Sequence, residues 1–201
     1  MKYIYVLISF VVLSNPGSAE EILYRSDLQY KYYNDVWKSQ NNKNISLRIE
    51  PQNKRIDIYV EEILHVGVIQ LDDENRKKLI DSILKYNAWN NQATKKRVKI
   101  DKQITEIKPI RYYFKSGNDW YETWGWPFTV QFFSQSSKIH QLVFLFPNVP
   151  STSNDYIKHQ INTMYFTYQQ ANSLRKALLN ESIDKFMAKY KEKKSIEDEF
   201  K

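Results

Sequence analysis

Residues 45–60 read Ile-Ser-Leu-Arg-Ile-Glu-Pro-Gln-Asn-Lys-Arg-Ile-Asp-Ile-Tyr-Val. Ile45, Leu47 and Ile49 alternate with Ser46, Arg48 and Glu50, the period-two pattern of a half-buried strand. Pro51-Gln52-Asn53-Lys54 is a turn, and the alternation resumes at Ile56, Ile58 and Val60. The stretch is therefore an antiparallel hairpin. Val66, Val68 and Leu71 add a third short strand. Asp72 then opens a helix: its carboxylate suits a free first-turn N–H, and Asp73 and Glu74 suit the positive end of the dipole. Leu79, Ile80, Ile83 and Leu84 recur at helical spacing, with Arg76, Lys77, Lys78 and Lys85 mostly on the wet side. The pattern fades over Asn87–Asn91.

The same order of signals returns downstream. Val98, Ile100, Ile104, Ile107 and Ile110 lead into Arg111-Tyr112-Tyr113-Phe114, and Ser116-Gly117-Asn118-Asp119 is a turn. Trp120–Trp126 and Phe128–Ser134 read as strands, interrupted by Gly125 and Pro127. After the turn Gln135–Lys138, Ile139–Phe146 is a strongly apolar strand, followed by a loop rich in Pro, Ser and Asn. Thr167 with Gln170 forms a capping box, with Phe166 just before the cap. A last helix runs through Ala171, Leu174, Leu178, Ile183, Phe186 and Tyr190.

The two stretches align. Ile45-x-Leu47-x-Ile49 matches Phe128-x-Val130-x-Phe132, and the turns and returning strands follow in step. Leu71 and Asp72 fall on Phe166 and Thr167, Asn75 on Gln170, Leu79 on Leu174 and Ile83 on Leu178. This predicts an α+β chain of two sequence-related halves, approximately 22–92 and 104–190. Each half is a small antiparallel meander followed by one helix, and the two pack as one pseudo-twofold domain over 20–190. Residues 191–201 are expected to be a charged flexible tail.

The first 19 residues have the layout of a cleavable export signal. Lys2 supplies the positive start, Tyr3–Leu13 the apolar run, and Gly17 and Ala19 the small side chains before a cut. The run is shorter than the ~20 residues that span a bilayer. Cleavage leaves 182 residues starting at Glu20, a net charge of +6 once Lys2 is gone, and no membrane span. The reading is a periplasmic or secreted protein. With no cysteine in the chain, thiol catalysis, disulfides and cysteine-anchored lipidation are excluded.

Trp120-Tyr121-Glu122-Thr123-Trp124-Gly125-Trp126-Pro127-Phe128 is the most unusual stretch. Period two puts Trp120, Glu122, Trp124 and Trp126 on one face, which reads as strand core. The alternative is an exposed platform that stacks on a sugar or a partner, with Glu122 as polar anchor or general acid. If Glu122 is buried, Arg111 or Lys115 across the turn are its candidate partners. Lys95, Lys96, Arg97 and Lys99 form the densest basic cluster, read as a solvated loop and strand edge, or as a contact for an anionic surface. Lys185, Lys189 and Lys193 form a basic stripe on the last helix.

His65, His140 and His159 carry no metal spacing, and strand geometry splits Glu61, Glu62 and His65 between faces, so no metal is expected. No nucleophile elbow or phosphate loop is present, so no cofactor is expected. Taken together, the sequence points to an exported non-enzymatic binding protein that meets another protein, such as a toxin, or an anionic ligand. A glycan or cell-wall hydrolase built on Glu122 is the alternative. A nucleic-acid binder is a third reading, which needs the basic cluster and the aromatics on one face.

Overall fold

The computed structural model describes residues 21–34, 37–62 and 65–199; the export signal at 1–19 lies outside them. The described residues are mixed α and β, with a ten-stranded antiparallel sheet, a two-stranded ribbon and three helices.

The strands are β1 (Ile22–Asn34), β2 (Ser39–Glu50), β3 (Arg55–Glu61), β4 (His65–Leu71), β5 (Lys102–Ile107), β6 (Arg111–Ser116), β7 (Asp119–Thr123), β8 (Phe128–Ser134), β9 (His140–Leu145), the ribbon β10 (Val149–Pro150) and β11 (Lys158–His159), and β12 (Met164–Phe166). The helices are α1 (Asp73–Lys96), α2 (Tyr168–Leu178) and α3 (Asn180–Asp198). The sheet order is β5-β8-β9-β12-β1-β2-β3-β4-β6-β7.

That order forces the sheet to curl. β5 and β6 stand eight strand spacings apart, about 38 Å if the sheet were flat. Residues 108–110 nevertheless join them, four Cα steps that reach at most about 15 Å. Residues 124–127 likewise bring the edge strand β7 back to β8. The sheet therefore rolls on itself, and its concave face holds the core.

The alternation at 45–60 has its expected result. Ile45, Leu47, Ile49, Ile56, Ile58 and Val60 are all buried, with Leu47 opposite Ile58 and Ile49 opposite Ile56. On the other limb Val130 lies opposite Phe144 and Phe132 opposite Leu142, all buried. Leu79, Ile83 and Tyr86 of α1 and Ala171, Leu174 and Leu178 of α2 belong to the same core, and Tyr86 Oη donates to the His140 carbonyl at 3.1 Å.

Both caps fall where the sequence puts them. Asp72 accepts from Asn75 N at 2.8 Å, and Thr167 and Gln170 form the reciprocal capping box. β1-β2-β3-β4 followed by α1 has the same connectivity as β5-β8-β9-β12 followed by α2, with the β6–β7 hairpin and the β10–β11 ribbon inserted in the second series.

Several expectations are corrected. α1 does not fade at Asn87–Asn91 but continues to Lys96, because Trp89 and Ala93 pack on the core. It ends at Arg97 in the left-handed conformation (φ 55°), whose N–H closes the last turn. Lys95 and Lys96 are thus last-turn helix residues and Arg97 is its cap, rather than loop and strand edge. Val98 and Ile100 precede β5 instead of starting it.

The last helix is broken at Leu179 (ψ 141°). Buried Arg76 explains the break: its guanidinium donates to the Leu178 carbonyl at 2.5 Å and also to Asp73 and Asn180. The expected tail from Lys191 is helical as far as Asp198. No helix among the described residues is long and apolar enough to cross a membrane.

Candidate functional site

The outer face of β6 and β7 carries the tryptophan stretch. Gly117 takes the left-handed conformation (φ 63°) that a tight hairpin turn needs, and sets Lys115 opposite Trp120, Tyr113 opposite Glu122 and Tyr112 opposite Thr123. The sequence expectation of a core face is wrong here. Trp120, Trp124 and Trp126 are 38%, 45% and 41% exposed. Strand β7 stops at Thr123, and Gly125 (φ 73°) resets the alternation before β8.

Arg111 organises this face. Its guanidinium lies 4.1 Å from the Trp124 ring and 5.3 Å from that of Tyr113, donates to Tyr113 Oη at 2.6 Å and approaches Glu122 at 3.8 Å. Arg111 is one of the two partners the sequence offers Glu122, but the pair is half-exposed rather than buried. The result is an outward ladder in which cations and aromatic rings alternate.

The same outer face continues inward along the strands. Arg48, Asp57, Gln70 and Arg111 occupy one row across β2, β3, β4 and β6. Asp57 is fully buried, and neither of its oxygens completes a hydrogen bond. Burial, the Glu21 charge and the Glu50 charge hold its carboxyl well above the usual range, against a smaller contribution from Gln70. Glu21 accepts from Tyr59 Oη at 2.6 Å, and Arg48 stacks over the Tyr59 ring at 4.0 Å. Burial and Glu21 together push the Tyr59 phenol far up.

The concave face of the same strands carries a different polar group, which the sequence reading does not assemble. His159 Nε2 donates to Glu62 Oε2 at 3.2 Å, and Tyr112 Oη donates to His159 Nδ1 at 2.5 Å. The imidazole thus bridges the Glu62 carboxyl group and the Tyr112 hydroxyl through its two ring nitrogens. Glu62 also accepts from Asn162 N at 2.9 Å. Burial pushes the Glu62 carboxyl up, but the bonds from His159 and Asn162 outweigh it and hold it below the usual range.

His65, expected on a face away from Glu62, packs edge-on to His159 with centroids 5.3 Å apart. Gly67 makes room for the strap formed by residues 147–163. A Cβ there would lie 2.6 Å from Ile161 Cγ1. The strap's far end is tied to the edge strand by Thr152, whose N–H and Oγ1 both donate to the Glu122 carbonyl at 2.9 Å.

A third group, Ser134 with His140 and Asp101, contains the residue types of a nucleophile relay but not its geometry. The Ser134 hydroxyl donates to the Ile100 carbonyl at 2.8 Å, so His140 Nδ1 donates to it rather than accepting its proton. Asp101 accepts from Ser134 N instead of orienting the imidazole. Burial lowers the His140 pKa.

The basic cluster is separate from the ladder. Lys95, Lys96, Arg97 and Lys99 lie between α1 and the start of β5, whereas the tryptophans lie on and just after β7, by the other end of β5, where Lys108 approaches Gly125. Among the described residues no three His, Cys, Asp or Glu side chains are grouped to hold a metal. No protein-family model, curated protein or solved structure significantly matches this chain.

Proposed function

We propose that the protein is exported, released from its leader after Ala19, and acts as a non-enzymatic binding protein whose docking face is the β6–β7 ladder. The observation that carries this reading is the outward exposure of Trp120 and Trp124 beside Lys115 and Arg111. Large aromatics and arginine are the side chains that dominate binding interfaces, because they bury much area and pair with charge. The mature charge of +6 and the two ladder cations favour an acidic partner, either a protein segment or another anionic ligand.

Arg111 is committed to Glu122, Tyr113 and Trp124 before any partner arrives. The face is therefore held in place, and little ordering cost remains on binding. The separation of Lys95–Lys99 from the aromatics removes the continuous basic and stacking track that a single-stranded nucleic acid would need.

The matched connectivity of the two strand-and-helix series, with equivalent caps at Asp72 and Thr167, supports an internal duplication in which the β6–β7 hairpin is the insertion. The ladder then sits on the element that departs from the repeat. Affinity capture with mature wild-type protein and with Trp120→Ala/Trp124→Ala in parallel tests the reading. A species retained by the wild type and lost by the variant is expected. Equal retention by both overturns it, as does glycan turnover abolished by Glu122→Gln.

A further inference from the structure

The start of β5 carries a second surface. α1 ends at Arg97 in the left-handed conformation, and residues 97–101 lead the chain into β5. This connection is held firmly from beneath. Buried Ser134 donates its hydroxyl to the Ile100 carbonyl at 2.8 Å and accepts the Ile100 N–H at 2.9 Å. Asp101 accepts the Ser134 N–H at 2.9 Å, and Val98 N closes on the Ala93 carbonyl at 3.1 Å.

The side chains so presented are of two kinds. Lys95, Lys96, Arg97, Lys99 and Lys102 are all exposed. The one acid between Ser82 and Thr105 is Asp101, and it is engaged by Ser134. Val98 and Ile100 alternate with these cations and are exposed as well. The β8–β9 turn adds one residue of each kind. Exposed Lys138 and Ile139 adjoin His140, which pairs with Ser134 and so lies beside Ile100. Behind the connection, the Trp89 ring has the ammonium groups of Lys85 and Lys102 at 5.0 and 5.5 Å.

Cations alone suit any polyanion. Aliphatic tips interleaved with cations suit an anionic bilayer. There ammonium and guanidinium groups meet lipid phosphates, and short apolar side chains leave water for the boundary of the acyl chains. We propose that residues 95–102, with Lys138 and Ile139, form a peripheral docking surface for an anionic phospholipid bilayer. Charge complementarity decides the choice of lipid: residues 95–102 set five cations against one acid, and each Lys or Arg near an anionic surface strengthens binding about fivefold. The aliphatic tips are few and short, so the attachment is reversible.

This surface is separate from the ladder. β5 runs from Lys102 to Ile107, about 17 Å at 3.4 Å per residue. Residues 108–110 then lead to Arg111, which lies against Trp124. Docking through the start of β5 therefore leaves Arg111 and Trp124 free for a second partner.

Flotation of the mature protein with two kinds of vesicle tests the proposal. One is phosphatidylcholine alone, and the other is phosphatidylcholine with phosphatidylglycerol in equal parts. Binding to the mixed vesicles alone, weakened by salt, is expected. Lys95→Gln/Lys96→Gln/Lys99→Gln should weaken it about 100-fold, three steps of about fivefold. Val98→Ser/Ile139→Ser keeps every charge and should weaken it about tenfold. Trp124→Ala should bind as the wild type does, so this proposal and the ladder reading fail separately.

Equal binding to both vesicles overturns the proposal, as does mixed-vesicle binding that the lysine variant retains. Undiminished binding by Val98→Ser/Ile139→Ser overturns it too, and so does tighter binding of the wild type to soluble polyphosphate than to the mixed vesicles. Either result would assign the cations to a soluble polyanion. Thermal unfolding checks that each variant is folded. If the aliphatic pair variant is not, the lysine variant and the polyphosphate comparison decide.

Discussion

Two polar groups lie on opposite faces of the same strands, β3, β4 and β6, and they are finished to different degrees. On the concave side Glu62, His159, Tyr112 and the Asn162 N–H satisfy one another, at distances from 2.5 to 3.2 Å. On the outer side Asp57 is fully buried between Arg48 and Gln70 of the neighbouring strands, with no hydrogen bond of good geometry to either oxygen. The inner group joins residues far apart in the chain and closes a strap over the core, so its role is to hold the fold. The outer row runs from a buried acid through Arg111 to two exposed tryptophans. A polar group that closes on itself is a staple; a polar row that leads to exposed aromatic rings is the face we propose for a partner.

The sharpest way to break this contrast is to remove the inner acceptor. Glu62→Ala leaves the His159 Nε2–H and Asn162 N–H without their acceptor and should cost about 3 kcal/mol, read by urea unfolding, with new protease cleavage inside 147–163. The pH dependence has a definite sign. Because the Glu62 carboxyl is held below its usual range, its contribution is present above that range and is lost as pH falls through the folded value. Acid should therefore loosen the strap in the wild type and have less effect on it in Glu62→Gln.

Next in size is Gly67→Ala, whose Cβ would overlap buried Ile161. About 2 kcal/mol is expected, the usual cost of overpacking. Ile161→Ala in the same chain should recover part of the loss that a Gly67→Ala change causes alone, which a double-mutant cycle measures.

The outer group should respond in the opposite sense. The raised Asp57 carboxyl contributes stability below the usual carboxylate range and loses it as pH rises through its folded value. Asp57→Asn should flatten the loss and gain about 1 kcal/mol at neutral pH, checked by unfolding at pH 5 and pH 8. A loss of stability there would mean that Asp57 is paired after all.

The smallest effect on folding belongs to the ladder. Trp124→Ala gives up one partly exposed cation–π contact and should cost under about 1 kcal/mol, while partner retention falls at least tenfold.

How much of this was readable depends on distance along the chain. The hairpin at 45–60 and both caps were legible because the signals are local: alternation, a Pro-led turn, and Asp or Thr three residues before Asn75 and Gln170. β1 went unread, and its alternation is interrupted by register shifts between Leu23 and Arg25 and between Arg25 and Leu28. The end of α1 was misplaced because Trp89 and Ala93 earn their helix from tertiary packing, which overrides a run of asparagines. The tryptophans were assigned to the core because one period was carried through Gly125.

The sites were harder still. Glu62, Tyr112 and His159 are 50 and 47 residues apart in succession, and only the curl of the sheet brings them together. Asp57 sits at a polar position of a correctly read strand, and alternation alone sends such a residue to solvent. A buried acid between two isoleucines leaves no mark in a pattern of apolar positions.

The central claim is that the outer face, and not the inner one, meets a partner. Parallel capture with mature protein carrying a photo-crosslinking side chain at Tyr113 on the ladder, or at Tyr156 on the strap tip, which is 97% exposed, tests it most directly. The account predicts one defined adduct from position 113, lost on Trp120→Ala/Trp124→Ala, and none from position 156. The same adduct from position 156 alone, or adducts from 113 that survive the double substitution, would contradict it.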